Sequence, residues 1–152
     1  MSLFDNFGSS QSSEPPGSSK RSQFINFVKL HTYADGYIDQ KEERKILEYA
    51  IGIGVALEEA LAVLRDLATQ QGWVLERDAE NRAKDVLAQF AASGGVVDKK
   101  EFEDAVTMFR TACKNKINDP EARRRLKQMM LDNGWKAKEG GLFGSKWFSQ
   151  IG

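Results

Sequence analysis

Two stretches of this chain can be laid over each other without a gap, 59 positions apart (Gly36 on Gly95), and no other feature limits the fold as strongly. Residues 34–43 read ADGYIDQKEE and residues 93–102 read SGGVVDKKEF. Ile38 falls on Val97, Asp39 on Asp98 and Glu42 on Glu101. Glycine takes positive φ at little cost, a β-branched residue suits a short extended stretch, and Asp followed by Glu three residues later is the capping-box spacing that opens a helix. Each copy follows one amphipathic segment and precedes another. The pattern predicts two helix–loop–helix units of EF-hand-like design, with Ile38 and Val97 pairing as a bridge between the loops.

Helical periodicity runs through most of the rest. Apolar residues recur at i, i+3, i+4 and i+7 in six stripes. These are Phe24/Phe27/Val28/His31; Ile46/Leu47/Ala50/Ile51; Leu57/Ala60/Leu61/Leu64/Leu67/Ala68; Ala79/Ala83/Val86/Leu87/Phe90; Phe102/Ala105/Val106/Phe109/Cys113; and Ala122/Leu126/Met129/Met130. Asp119-Pro120 reads as a cap followed by proline at the first helical position, and Asn133-Gly134 as a stop. No alternating run is long enough to build a sheet. The expected class is all-α, a compact bundle of about six helices over residues 20–135. Residues 1–19, rich in Gly, Ser and Pro, read as a flexible leader. Residues 136–152 read as a Gly-rich tail with an aromatic segment.

The first loop invites a test for metal. With Gly36 at the sixth position of a twelve-residue EF loop, the oxygen-ligand positions fall on His31, Tyr33, Asp35, Asp39 and Glu42. Asp35, Asp39 and Glu42 are therefore the candidate ligands for a divalent cation. In the second loop the same positions are Phe90, Ala92, Gly94, Asp98 and Glu101, and most ligands are lost. Against metal stands the plainer reading that both Asp/Glu pairs simply cap helices.

The string YADGYIDQKEERKIL, with VALEEAL after it, resembles the opening of the tellurite-resistance TerB-like family. Residues 22–70 carry the resemblance, through Ala34, Asp35, Gly36, Ile38, Glu42 and Glu43. It implies a small all-helical bacterial protein associated with stress response and with metal-linked, membrane-proximal complexes, without catalytic chemistry of its own. The expected function is then a non-enzymatic interaction or adaptor protein, with a divalent-cation sensor as the alternative.

Charge sets further bounds. The chain has 22 basic and 22 acidic side chains, which argues against a whole-surface polyanion binder. Residues 111–152 nevertheless carry an excess of basic groups, concentrated at Arg123, Arg124, Arg125 and Lys127. That run reads as a solvated basic face or as a contact for an acidic partner. Nucleic acid fits least, because no aromatic residues are interleaved with it. In the tail, Phe143, Trp147, Phe148 and Ile151 make a second candidate surface. They fold back on the domain, enter a partner protein's groove, or lie on a membrane surface, the last being the weakest reading. No catalytic residues are nominated: Cys113 sits on a core stripe with no base beside it, and neither a phosphate loop nor a nucleophile elbow is present. One cysteine and no secretory pattern in MSLFDNFGSS point to the cytoplasm.

Overall fold

The computed structural model describes residues 18–31, 35–140 and 144–152. Among them the chain forms six helices and two short two-residue pairings. The order is α1 (Ser18–Leu30), β1 (Tyr37–Ile38), α2 (Gln40–Gly52), α3 (Leu57–Gln71), β2 (Val74–Leu75), α4 (Glu76–Phe90), β3 (Val96–Val97), α5 (Lys99–Ala112), α6 (Asp119–Asp132) and β4 (Lys136–Ala137). No helix among the described residues is long and apolar enough to cross a membrane. The all-α bundle is as the periodicity predicts. The leader to residue 17, together with Ala34 and Phe143, lies outside the described residues.

The repeat goes deeper than its loops. Each half is a helix, a short strand, two helices and a second short strand: α1-β1-α2-α3-β2, then α4-β3-α5-α6-β4. Both second strands follow a Gly-Trp pair, Gly72-Trp73 and Gly134-Trp135. Gly72 and Gly134 both have φ of 70°, and each following Trp amide donates back into the helix, to Ala68 O at 2.8 Å and Met130 O at 2.9 Å. These are helix stops that need a left-handed residue, hence glycine. The pairs stand 62 positions apart rather than 59, because the α5–α6 half carries three more residues, placed around the turn between those helices. A gapless superposition cannot follow the repeat past that point.

The bridge between loops is not the one expected. Ile38 pairs in parallel with Leu75, and Val97 with Ala137. Each loop strand takes its partner from the end of its own half, where the Gly-Trp stop delivers an extended residue beside it. Side chains alternate across a strand, and the first pairing uses both faces. Ile38 and Leu75 enter a core with Phe24, Val28, Ile46, Ala50 and Leu64. Tyr37 and Val74 face a second core, built on Leu87, Phe102, Phe109, Leu126 and Met130. β1 and β2 are thus wedged between the two cores and belong to both.

Both loop glycines take positive φ, 64° at Gly36 and 71° at Gly95. Both capping boxes close in both directions, at Asp39/Glu42 and Asp98/Glu101. α6 is capped one residue earlier than expected, by Asn118, whose side chain accepts from the Glu121 amide. Ile51 and Leu57, counted as core stripe, are exposed.

The folded body does not stop near residue 135. Beyond β4 the chain returns across α5, where Trp147 and Phe148, 8% and 9% exposed, bury against Phe102. Ring centroids lie 5.1 Å and 6.2 Å apart, and Trp147 Nε1 donates to Lys138 O at 3.2 Å. In the first half the position answering to Phe102 is Glu43, a buried carboxylate covered by Arg77 of α4 at 2.5 Å. One half is therefore closed by an aromatic tail and the other by an ion pair. Trp147→Ala is expected to cost about 3 kcal/mol, read by chemical denaturation, whereas an exposed tail would leave stability unchanged.

Candidate functional site

The first loop shows what the acidic residues do. Asp39 Oδ1 accepts from the Glu42 amide at 2.8 Å and Glu42 Oε2 from the Asp39 amide at 2.9 Å. Asp35 Oδ1 accepts from the Tyr37 amide at 3.2 Å, and its other oxygen lies 3.5 Å from Lys116 Nζ. The Tyr37 amide, ahead of Lys116, holds the Asp35 carboxyl below its ordinary value. Burial pushes Glu42 up, with Asp39 and Asp35 adding like charge. Asp35, Asp39 and Glu42 line one cleft of about 450 Å³, but their oxygens are turned to backbone amides and a lysine. Among the described residues no group of three or more His, Cys, Asp or Glu side chains converges in a way that could hold a metal ion. In this structure the three carboxylates cap and brace.

The bracing lysines come from the longer turn of the second half. Lys114 and Asn115 both sit at positive φ, 53° and 57°, an uncommon conformation for residues with a Cβ. It carries the chain across to the first half, where Lys114 Nζ reaches Gly72 O at 3.5 Å and Lys116 meets Asp35. An ammonium group thus stands beside the loop where an EF-hand would hold its ion.

At the back of the same cleft lies Glu76, first residue of α4 and 2% exposed. One carboxylate oxygen accepts from the Gln40 amide at 2.7 Å, a free N–H at the start of α2; the other is ion-paired with Arg125 of α6. Arg125 also reaches Glu80 and Glu121, each at 3.0 Å, and Gln40 Nε2 donates to Glu80. Burial works against the Arg125 charge, but its hydrogen bonds to Glu76 and Glu121 outweigh that and hold it protonated. Burial likewise raises Glu80, against the pull of Arg125. Tyr37 closes the network on its apolar side. Its buried hydroxyl makes no hydrogen bond, and burial, with the Cys113 thiol beside it, raises its pKa.

The basic run on α6 is not a free face. Arg123 makes a two-pronged pair with Glu103 at 2.7 and 2.6 Å and also reaches Asp119. Arg124 pairs with Glu121, and Arg125 is drawn into the network above. Lys127 donates to Ile151 O at 2.8 Å and lies over the Phe148 ring. Helical spacing sets acidic residues under each arginine, which a count of charges along the sequence does not show. In the tail, Trp147 and Phe148 fold back into the second core and Ile151 packs against it. Cys113 is buried, and desolvation raises its thiol, the opposite of nucleophile activation. His31 is an exposed rim residue, its Nδ1 2.9 Å from Phe27 O.

Among the described residues a different surface stands uncovered. α1 and α2 meet in a groove of about 490 Å³ lined by Ser19, Ser22, Gln23, Asn26, Phe27, Leu30 and Tyr49. Its floor is the Phe27–Tyr49 stack, ring centroids 3.6 Å apart and planes 6° from parallel, with Gln23 donating to the Tyr49 hydroxyl. Leu30 forms its far wall at 82% exposure. The helical stripe in the sequence includes Phe27 and leaves out Leu30, and the signal for this surface is that Leu30 is out of phase with Phe24 and Val28, which face the core.

Comparison with protein-family models, with curated proteins and with solved structures found no match.

Asp39→Ala and Asp98→Ala should each cost about 1 kcal/mol in urea denaturation. Glu76→Ala should cost about 3 kcal/mol, since it strands a guanidinium, and Glu76→Leu with Arg125→Met should cost less than the two singles added. Arg123 holds Glu103 and Asp119 below their usual 4.5 and 3.8. Lowered carboxylates add stability above the unfolded value and lose it as pH falls through the folded one. The Arg123→Ala destabilisation should therefore be full above about pH 4.5 and fade with acidification, measured as stability against pH.

Proposed function

We propose that this chain is a non-enzymatic protein-interaction or adaptor module of TerB-like type, working in the bacterial cytoplasm in a stress-response or membrane-proximal complex. The TerB-like part of the reading rests on the ADG loop and the helix–loop–helix unit around it. The observation that carries the interaction reading is the α1–α2 groove. A stacked aromatic floor, an almost bare leucine wall and a rim of Ser, Gln and Asn side chains suit a short peptide bearing leucine and aromatic side chains, with polar groups left over for its backbone. Partner contact is thereby moved from the C-terminal tail and the α6 arginines, which are engaged within the chain, to the opposite end of the sequence.

The metal-responsive alternative makes a different forecast. A ligand that binds only the folded state raises its melting temperature. For the adaptor, Tm should be the same in calcium, magnesium, manganese or chelator; a Tm that climbs with one ion and falls back with Asp39→Asn would replace the adaptor by the sensor. The groove itself is tested with a photo-reactive side chain at Asn26 in bacterial cells. One discrete protein adduct, abolished by Leu30→Asp, is the expected result, and adducts indifferent to Leu30→Asp would overturn it.

A further inference from the structure

The two halves are stacked in one direction. β1–β2 turns Ile38 and Leu75 to the first core and Tyr37 and Val74 to the second. β3–β4 turns Val97 and Ala137 to the second core and leaves the paired Val96 and Lys136 outward. The outer face of β3–β4 thus answers to the face of β1–β2 that the second half covers, and among the described residues it stands uncovered. Val96 is 36% exposed, and Leu131, on the last turn of α6, 53%. The end of a repeat stack ordinarily carries a polar outer face; this one carries two large apolar side chains.

The covered face shows what fits such a surface. The α5–α6 turn lies on it: Lys114 reaches Gly72 O, Lys116 meets Asp35, and the Cys113 thiol stands beside Tyr37. At its edge Thr69 and Val74 share a cleft with Ala112 of α5, and Arg125 of α6 links Glu76 to Glu121. The first half has its own version of that turn, residues 53–56 between α2 and α3. We propose that the outer face of β3–β4 receives the α2–α3 turn of a second copy of this chain, so that copies join head to tail by the contact that joins the halves. This surface is separate from the α1–α2 groove.

Three correspondences select this occupant, at spacings of 59 before the longer turn and 62 after it. Thr69 and Ala112, which share the cleft, answer to Leu131 and Ile53, so both sides become large and apolar. Glu76, Arg125 and Glu121 answer to Lys138, Val63 and Glu59. The bridging guanidinium is gone, but the carboxylate on the face has become an ammonium, which can meet Glu59 directly. Lys138 and Glu59 are both exposed, and neither is in an ion pair among the described residues. Asp35 answers to Gly94, and residues 53–56 hold no lysine, so both members of that ion pair are missing together. Each change on the face is thus matched on the turn, which is how complementary surfaces select one partner. Lys20, lying over Gly54 of the turn, is a mismatch: it answers to Ala79 and brings like charge toward Lys136.

The experiment is sedimentation equilibrium on the full chain, run up to about 1 mM, the weak end of specific affinity. The expected result is an average mass that climbs with concentration past that of a pair, because a head-to-tail contact leaves a free turn and a free face on every assembly. Leu131→Asp on the face and Glu59→Lys on the turn should each hold the chain as a monomer. Both positions are exposed, and unchanged amide shifts elsewhere report an intact fold. The sharper test mixes these two variants. One retains only the turn and the other only the face, so the mixture should form a one-to-one pair and grow no further. Joining Glu59→Lys to Lys138→Glu in one chain should restore growth, and Lys20→Ala should strengthen it. A mass that stays at one chain throughout, in Lys20→Ala as well, overturns the proposal. So does association that ignores Leu131→Asp and Glu59→Lys, or a mixture of the two monomeric variants that stays monomeric. Growth that stops at a pair in the unaltered chain also overturns it and makes the contact two-fold.

Discussion

The Glu76 carboxylate is the hinge of this structure. A buried carboxylate costs several kcal/mol unless its lone pairs are met, and here one oxygen is met by the free amide at the start of α2 and the other by Arg125 of α6. At the first position of α4, Glu76 also sits where that helix's dipole favours negative charge. Three helices from both halves are thus fixed against one group. The orientation of α2 on α4, and with it the cleft beneath the first loop, follows from satisfying that carboxylate.

The first half of the repeat was legible because its information is local. Glycines at a set offset from an Asp/Glu cap reflect backbone geometry, and the structure returns a positive φ and a closed capping box at both copies. The Gly-Trp half was just as strong a signal but lay beyond a three-residue insertion, out of step with the first register. What could not be read was non-local. Periodicity says that Ile38 is buried, not that Leu75 lies beside it. The composition of the tail says that Trp147 must leave water, not that Phe102 receives it. The sequence shows Arg123–Arg125 as charge along a line, while Arg123 and Arg125 find Glu103, Glu76 and Glu80 on two other helices.

In the first loop the acids serve the backbone. Asp39 and Glu42 close the capping box at the start of α2 whether or not an ion is present, so the Asp/Glu spacing by itself carries no message about calcium. The work an ion would do in drawing the loop together is shared by the Tyr37 amide, Lys116 and Lys114. The latter two come from a turn made three residues longer than its counterpart and held at positive φ to reach this far. Among the described residues the first half presents an aromatic groove between α1 and α2, while the second half is closed by its own tail.

Leu75 ends β2 and, with no residue between, is the N-cap of α4. With Tyr37 buried in the second core, Val74 packed against it, and Ile38 and Leu75 buried in the first, no cut separates the two halves without opening both interiors at once. Such a chain should melt as one cooperative body, its slowest-exchanging amides in the two halves sharing a single opening free energy. The repeat is thus a molecule whose two halves have no separate interiors.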